Sequence, residues 1–277
     1  MSIWYTEKHT PHAGITMEVR KSIYHGESKF QTLDILDTFE FGRMLLLDGV
    51  VMLTERDEFV YHEMLAHVPL NTHPSPAKVL VIGGGDGGTV REVLKHPEVA
   101  EVTLVEIDPM VVEASMEHLP GLSEGLKDPR TRIVYDDGVR FVSEAQPGSY
   151  DVILVDSTDP VGPAEALFAE DFFRNCSKAL GPDGIFVSQS ESPFFHLPFM
   201  VETYKLVEGI YPQAAFYLAS VPTYPSGTWS FLMGVRDGSL PLTRCRDHEK
   251  LATKYYNRQV HLASFQLPRF LKEALSG

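Results

Sequence analysis

A chain of 277 residues with 43% apolar and 22% charged side chains has the size and make-up of an ordinary globular protein, one large domain or a large one with a small one. Its formal charge of −14 argues against nucleic acid and anionic membranes as partners, since both reward a basic face. It is also compatible with a cationic ligand, although an acidic surface alone favours no more than solubility. Two cysteines, Cys176 and Cys245, with no CxxC or Cys/His cluster, exclude a disulfide framework and a spaced zinc site and point to a reducing compartment.

The chain opens without a basic stretch followed by an apolar run, so no secretory leader is expected, and no apolar run is long enough to span a bilayer. Residues 1–54 are rich in β-branched and aromatic side chains, with Gly26, Gly42 and Asp48-Gly49 as expected turns; they predict an antiparallel β domain. Thr54 is the expected N-cap of a helix, with Asp57 closing a capping box and Phe59, Val60, Met64, Leu65 and Val68 as an apolar stripe. "NTHPSP", 71–76, reads as a linker, so 55–76 form a connecting helix and linker.

From residue 77 to 277 strands alternate with helices. "KVLVIGG", "EVTLVEID", "TRIVYDDG", "YDVILVDSTDP" and "GIFVSQS" are the strands, and 87–96, 109–118, 170–180 and about 197–210 the helices. Such alternation predicts an α/β fold with a parallel sheet covered on both faces. "AAFYLASVP" and "TWSFLMGVR" add a pair of strands around the turn "TYPSG", and "FQLPRFLKEALSG" a last helix with Pro268 in its first turn.

The functional signals sit at strand ends. Gly83, Gly85 and Gly88 satisfy G-x-G-x-x-G between a strand and a helix, a pattern shared by dinucleotide and S-adenosyl folds. Glu106 ends the next strand where such folds hold ribose hydroxyls. Asp137 and Gly138 are candidates for adenine recognition, with Asp137 equally suited to cap a helix. Asp86 is an awkward charge for a phosphate loop. With Asp156 and Asp159, on a loop stiffened by Pro160 and Pro163, it makes an anionic pocket. Magnesium is disfavoured there because nothing implies a phosphate partner. The pocket suits a substrate with fixed positive charges, and Asp156 is placed to take a proton from an attacking amine.

The stretches "LLLDGVVMLTERDEFVYHEMLAH", "VLVIGGGDGG", "VEID", "DDG", "DSTDPVGPAEALF" and "PTYPSG" resemble those of the spermidine synthases, a polyamine aminopropyltransferase family, over essentially the whole chain. The resemblance implies a small N-terminal antiparallel β domain, a Rossmann-like, methyltransferase-type catalytic domain and a homodimer or homotetramer in the cytoplasm. It implies transfer of the aminopropyl group of decarboxylated S-adenosylmethionine to putrescine, giving spermidine and 5′-methylthioadenosine. The donor is then a co-substrate, and no cofactor or metal is expected. By matching position, the nucleoside donor is assigned to Gln31, Asp86, Glu106, Asp137, Gly138 and Pro163. Asp86 would hold the ammonium of the aminopropyl arm. The polyamine is assigned to Tyr61, His62, Asp86, Asp156, Ser157, Thr158, Asp159, Gln189 and Tyr224, with Asp156 as proton acceptor. By themselves Tyr61 and His62 read as core residues of a helix, and Tyr224 as a hairpin residue. The same chemistry on agmatine, cadaverine or spermidine, and an S-adenosylmethionine-dependent N-methyltransferase, are the open alternatives. A non-catalytic polyamine-binding protein predicts a missing base or donor site, and a dehydrogenase leaves "DSTDP" without a purpose.

Overall fold

The structure is a computed structural model that describes residues 2–160, 162–246 and 251–277, except the side chain of Pro163. The N-terminal part is a five-stranded antiparallel meander: β1 (Ile3–Thr10), β2 (Ala13–Glu27), β3 (Thr32–Thr38), β4 (Arg43–Leu47) and β5 (Val50–Thr54), hydrogen-bonded in sequence order. Asp48 and Gly49, both at positive φ, close the two-residue turn between β4 and β5, where a primed turn matches the strand twist. Gly26, an expected turn, instead lies inside β2 opposite Leu33. A Cβ there would sit 3.0 Å from the sulfur of Met110, so that glycine serves close packing rather than a turn.

The second sheet has seven strands: β6 (Lys78–Gly83), β7 (Glu101–Glu106), β8 (Thr131–Tyr135), β9 (Tyr150–Asp156), β10 (Leu180–Gln189), β11 (Gln213–Ser220) and β12 (Thr228–Val235). Their order is β11-β12-β10-β9-β6-β7-β8, parallel except for β12, which runs against both neighbours. The order reverses next to β6, so the carboxyl ends of β6, β7 and β9 open on one crevice.

Alternate side chains of each strand feed two cores. Val79, Val81, Val152, Leu154, Ile185 and Val187 face the helices α1 (Glu58–Thr72) and α2 (Gly88–Leu94). Leu80, Ile82, Ile153, Val155 and Phe186 face the opposite layer. That layer comprises α5 (Gly138–Glu144), α6 (Glu170–Ala179), α7 (Leu197–Glu208) and α9 (Arg269–Ser276), with Phe172, Phe173, Met200 and Leu271 as its main contributors. Cys176 lies wholly within it, where burial pushes the thiol well above its usual range and leaves it inert. α3 (Pro109–His118) and α4 (Pro120–Ser123) present Val111, Ala114 and Leu122 to Leu33, Ile35, Leu45 and Leu53 of the first sheet, which fastens the two sheets together. α8 (Arg258–Ser264), capped by Asn257, has no counterpart among the predicted helices. Among the described residues no helix is long and apolar enough to cross a membrane.

Three expectations change. Thr54 ends β5 and does not cap a helix; its hydroxyl donates to Asp57 Oδ1 at 2.5 Å. Asp57 occupies the N-cap position, but its Oδ2 accepts the backbone N–H and hydroxyl of Thr223 at 2.9 and 2.7 Å. The carboxylate is used to lock a distant hairpin tip because α1 is buried at that end and the tip needs an acceptor. The expected linker at 71–76 is also shorter: α1 runs to Thr72, and Asn71, Thr72 and His73 are buried. α1 is therefore a layer of the second sheet, buried at every residue except Phe59, and not a connector. Finally, Pro268 precedes α9 as its cap residue and is not inside its first turn.

Candidate active site

A cavity of about 440 Å³ lies between the two sheets. Gln31, Leu45, Leu47 and Met52 line it from the meander, and the carboxyl ends of β6, β7 and β9 line it from the second sheet. Of the sequence-predicted residues it gathers Gln31, Tyr61, His62, Asp86, Glu106, Asp137, Gly138, Asp156, Ser157, Thr158, Asp159 and Tyr224.

One end of the cavity is built by β7 and the loop after β8. Glu106 accepts the N–H of Gly85 at 3.1 Å and that of Asp108 at 2.9 Å. Burial pushes its carboxyl up to about 7, against the pull of those N–H groups. Gln31 donates through Nε2 to Asp108 Oδ2 at 3.1 Å, which fixes its position at the domain junction. Asp137 Oδ1 accepts the N–H of Val139 at 2.8 Å, so the residue caps α5 while lining the cavity.

The acidic end is set by the glycine loop. Gly88 can have no side chain because a Cβ would fall 2.3–2.6 Å from three atoms of the His62 ring. The loop is thus glycine-rich to admit the protein's own imidazole as much as any ligand. His62 is clamped at both nitrogens: Nδ1 lies 2.7 Å from Glu58 Oε2, and Nε2 lies 3.4 Å from Asp86 Oδ1. Burial opposes a charge on the ring, but Asp86 and Glu58 outweigh it and hold the imidazole up to about 9. His62 is therefore an imidazolium at neutral pH.

Asp156 closes β9 and accepts the Thr89 hydroxyl at 2.6 Å, and it lines the same cavity as Tyr61. Burial, and then the charge of Asp86, raise its carboxyl above the usual carboxylate range. A raised carboxylate at a reacting centre is a stronger proton acceptor. Tyr61 and Tyr224 stand edge to face with ring centroids 5.7 Å apart. Tyr224 Oη donates to the carbonyl of Met52 at 2.5 Å, tying the hairpin tip to the meander.

Gln189 does not reach the cavity wall. It is buried, and its Nε2 donates to the carbonyls of Ser157 and Thr158 at 3.4 and 3.3 Å, holding the loop that carries Asp159. The contact expected of Pro163 lies outside the described residues.

Models of two domains match the chain: the spermine/spermidine synthase domain over residues 58–242 and the spermidine synthase tetramerisation domain over residues 3–55. The chain belongs to the spermine/spermidine synthase family. Its relatives include the polyamine aminopropyltransferase of Bacillus mycoides, 49% identical over 99% of this chain and 100% of that one. That of Caldicellulosiruptor bescii is 47% identical over 99% of each. A spermidine synthase solved in complex with the transition state analogue AdoDATO superimposes with a TM-score of 0.95 at 42% identity, covering 99% of this chain and 95% of that one. The spermidine synthase of Thermotoga maritima gives 0.92 at 41% identity over 99% and 94%. The chain is accordingly an enzyme of the aminopropyl-transferring kind, with an oligomerisation domain at its N-terminus.

Within this family member the structure adds residues that sequence reasoning passed over. Burial, and then the carboxyl of Glu191, push Asp159 up to about 7. Glu191 is buried at a left-handed φ of 68°, and His196 Nδ1 lies 2.8 Å from its Oε2. A left-handed backbone in a buried acid next to a pocket residue makes Glu191 a candidate functional position. Thr89, Glu58 and Arg91 were likewise missed. A hydroxyl at the start of a helix and charges at helical spacing read in sequence as a cap and a solvated face.

Proposed function

We propose that the enzyme transfers the aminopropyl group of decarboxylated S-adenosylmethionine to putrescine, giving spermidine and 5′-methylthioadenosine. The observation that carries this reading is the buried pairing of Asp86 and Asp156 around the His62 imidazolium. Two carboxylates with one resident cation leave room for one more positive charge at the reacting centre. An ammonium at the end of the aminopropyl arm satisfies Asp86, whereas the carboxylate of ordinary S-adenosylmethionine would meet a like charge.

In the reaction the acceptor nitrogen attacks the propyl carbon next to the sulfonium. An N–C bond forms, the C–S bond breaks, and neutral methylthioadenosine leaves. Asp156 accepts the ammonium proton that must be lost before the lone pair can attack. Tyr61 and Tyr224 hold the amine in line, and orientation of this kind supplies much of the rate. Asp159, with Glu191 buried behind it, faces the far ammonium of a diamine. Nothing in this sequence of steps calls for a metal. His62 Nδ1 and Nε2 both face carboxylates, so the cationic ring has no lone pair to offer one.

The test is product mass from a matrix of donors and acceptors. Spermidine from decarboxylated donor and putrescine is expected as the fastest product. A preference for agmatine, cadaverine or spermidine would replace the acceptor in this reading, and methyl transfer from S-adenosylmethionine would overturn it. Asp86→Asn should shrink the preference for the decarboxylated donor at least tenfold, the worth of about 1.4 kcal/mol of charge repulsion.

Donor binding should also depend on pH through Glu106. The empty site takes up a proton as pH falls below about 7. Ribose hydroxyls donate to the ionised carboxylate, so binding must release that proton, and affinity falls as pH drops. Calorimetry with 5′-methylthioadenosine should show Kd rising up to about tenfold per pH unit below 7. Glu106→Gln should abolish the dependence, and a flat profile in the parent would remove Glu106 from the ribose.

A further inference from the structure

Behind His62 runs a line of buried charges that the reaction does not touch. Glu58 accepts His62 Nδ1–H on one side and a two-pronged Arg91 guanidinium on the other, at 2.8 and 3.1 Å. Arg91 Nε then donates to Glu92 Oε1 at 2.8 Å. Glu92 Oε2 meets Lys95 Nζ at 2.6 Å and His67 Nε2 at 3.0 Å. Glu58 and Glu92 are almost fully buried, yet both carboxyls are held down to about 2. Burial alone would raise them; His62 and Arg91 overcome it at Glu58, and His67, Lys95 and Arg91 overcome it at Glu92. Charges therefore alternate without a break from Asp86 through His62, Glu58, Arg91 and Glu92 to Lys95.

We propose that Arg91 is a positioning residue for aminopropyl transfer: by gripping the Glu58 carboxylate with a two-pronged contact it anchors the His62 ring at Nδ1 and so keeps Asp86 aimed at the donor's ammonium. This rests on the role given to Asp86 above. A buried carboxylate that loses one of its partners is free to turn toward what remains. Without the Arg91 fork the Glu58 carboxylate no longer has a fixed orientation, the ring loses its anchor at Nδ1, and the Nε2 contact with Asp86 Oδ1 at 3.4 Å loosens. Other charges also face the ring: Asp86 from the glycine loop and Asp156 from the end of β9 raise its proton affinity. The Tyr61 ring stands edge-on to it, 5.5 Å between centroids, and carries no charge at neutral pH. The Gly88 backbone closes the remaining side. Arg91 is the one cation that reaches His62 through a single shared carboxylate among the described contacts.

The test pairs ring NMR with kinetics in the intact enzyme. In the parent, the His62 imidazole should titrate near pH 9, and kcat/KM for the decarboxylated donor should turn down over the same range. In Arg91→Met the loss of a nearby cation should leave the imidazole titration at or above its parental pH, while KM for the decarboxylated donor rises about tenfold with kcat less changed. Arg91→Lys, which keeps the charge and loses the fork, should show the same rise in KM. Because Arg91→Met strands two buried carboxylates and could unfold the chain, the double variant Glu58→Gln/Arg91→Met supplies a folded comparison with the same expected rise. An unchanged KM for the donor in these variants would overturn the proposal while leaving the proposed reaction intact. So would a general loss of kcat with KM unmoved, which is what mere scaffolding predicts. A parent enzyme that transfers no aminopropyl group would instead sink the reaction itself.

Discussion

Asp156→Asn is expected to lower kcat by about a thousandfold, within the 10²–10⁴ that a positioned general base contributes, while 5′-methylthioadenosine binds as before. The amide keeps the shape and can still accept the Thr89 hydroxyl, which lies 2.6 Å away in the parent, but it cannot take a proton. The same change should make the protein more stable, not less. In the empty enzyme burial and the Asp86 charge both raise the Asp156 carboxyl, which means that its ionised form destabilises the fold above its ordinary titration range. A neutral amide removes that cost, a common exchange between activity and stability at a site. Thermal melting at neutral pH and single-turnover kinetics check the two halves. Near-parental turnover would remove Asp156 from the chemistry, and a clearly lower melting temperature would contradict its repulsion by Asp86.

Gly84→Ala is expected to damage fold and activity together. Gly84 has φ of 70°, and a Cβ there would lie 2.6 Å from Asp156 Oδ2 and 3.2 Å from its Cβ. The left-handed backbone costs an alanine about 1–2 kcal/mol, and overpacking against a buried neighbour adds about 1–3 kcal/mol. A melting temperature lower by roughly 4–10 °C follows for a protein of this size. The displaced carboxylate should cost about a hundredfold in kcat/KM for the acceptor, since an ångström of misplacement is enough for that. Gly121→Ala is the matched control: a Cβ there meets nothing within 4 Å, so both quantities should stay at parental values.

The strand-end acids were legible because strand, turn and acid are contiguous in the chain. Glu106, Asp137 and Asp156 follow directly from apolar runs, and a parallel sheet brings such ends to one edge. Tyr61, His62 and Tyr224 gave no such signal. A helix buried nearly all round hides which face meets a cavity, so only the family resemblance singled them out. Glu58 and Arg91 were illegible for a different reason: charged side chains in sequence imply solvent, and only the folded chain shows them facing each other. Thr54 misled because Thr-x-x-Asp has the spacing of a capping box, whereas in the fold its hydroxyl donates to the Asp57 carboxylate at the end of a strand. Glu191 was passed over because an acid just after a strand looks like a loop residue, and its left-handed backbone leaves no trace in sequence.

The bonds at the tip of the β11–β12 hairpin have a bearing on how the protein is made. Asp57 with Thr223 and Met52 with Tyr224 join residues 166 and 172 positions apart. Contacts of that span are expected to close late, because the loop-closure entropy of the intervening chain must first be overcome. A nascent chain that has finished the glycine loop, Glu106 and Asp156 already has the pieces of a nucleoside site, but Tyr224, which completes the acceptor side, is still missing. On the ribosome, the donor pocket's residues are therefore all made well before the acceptor side is complete.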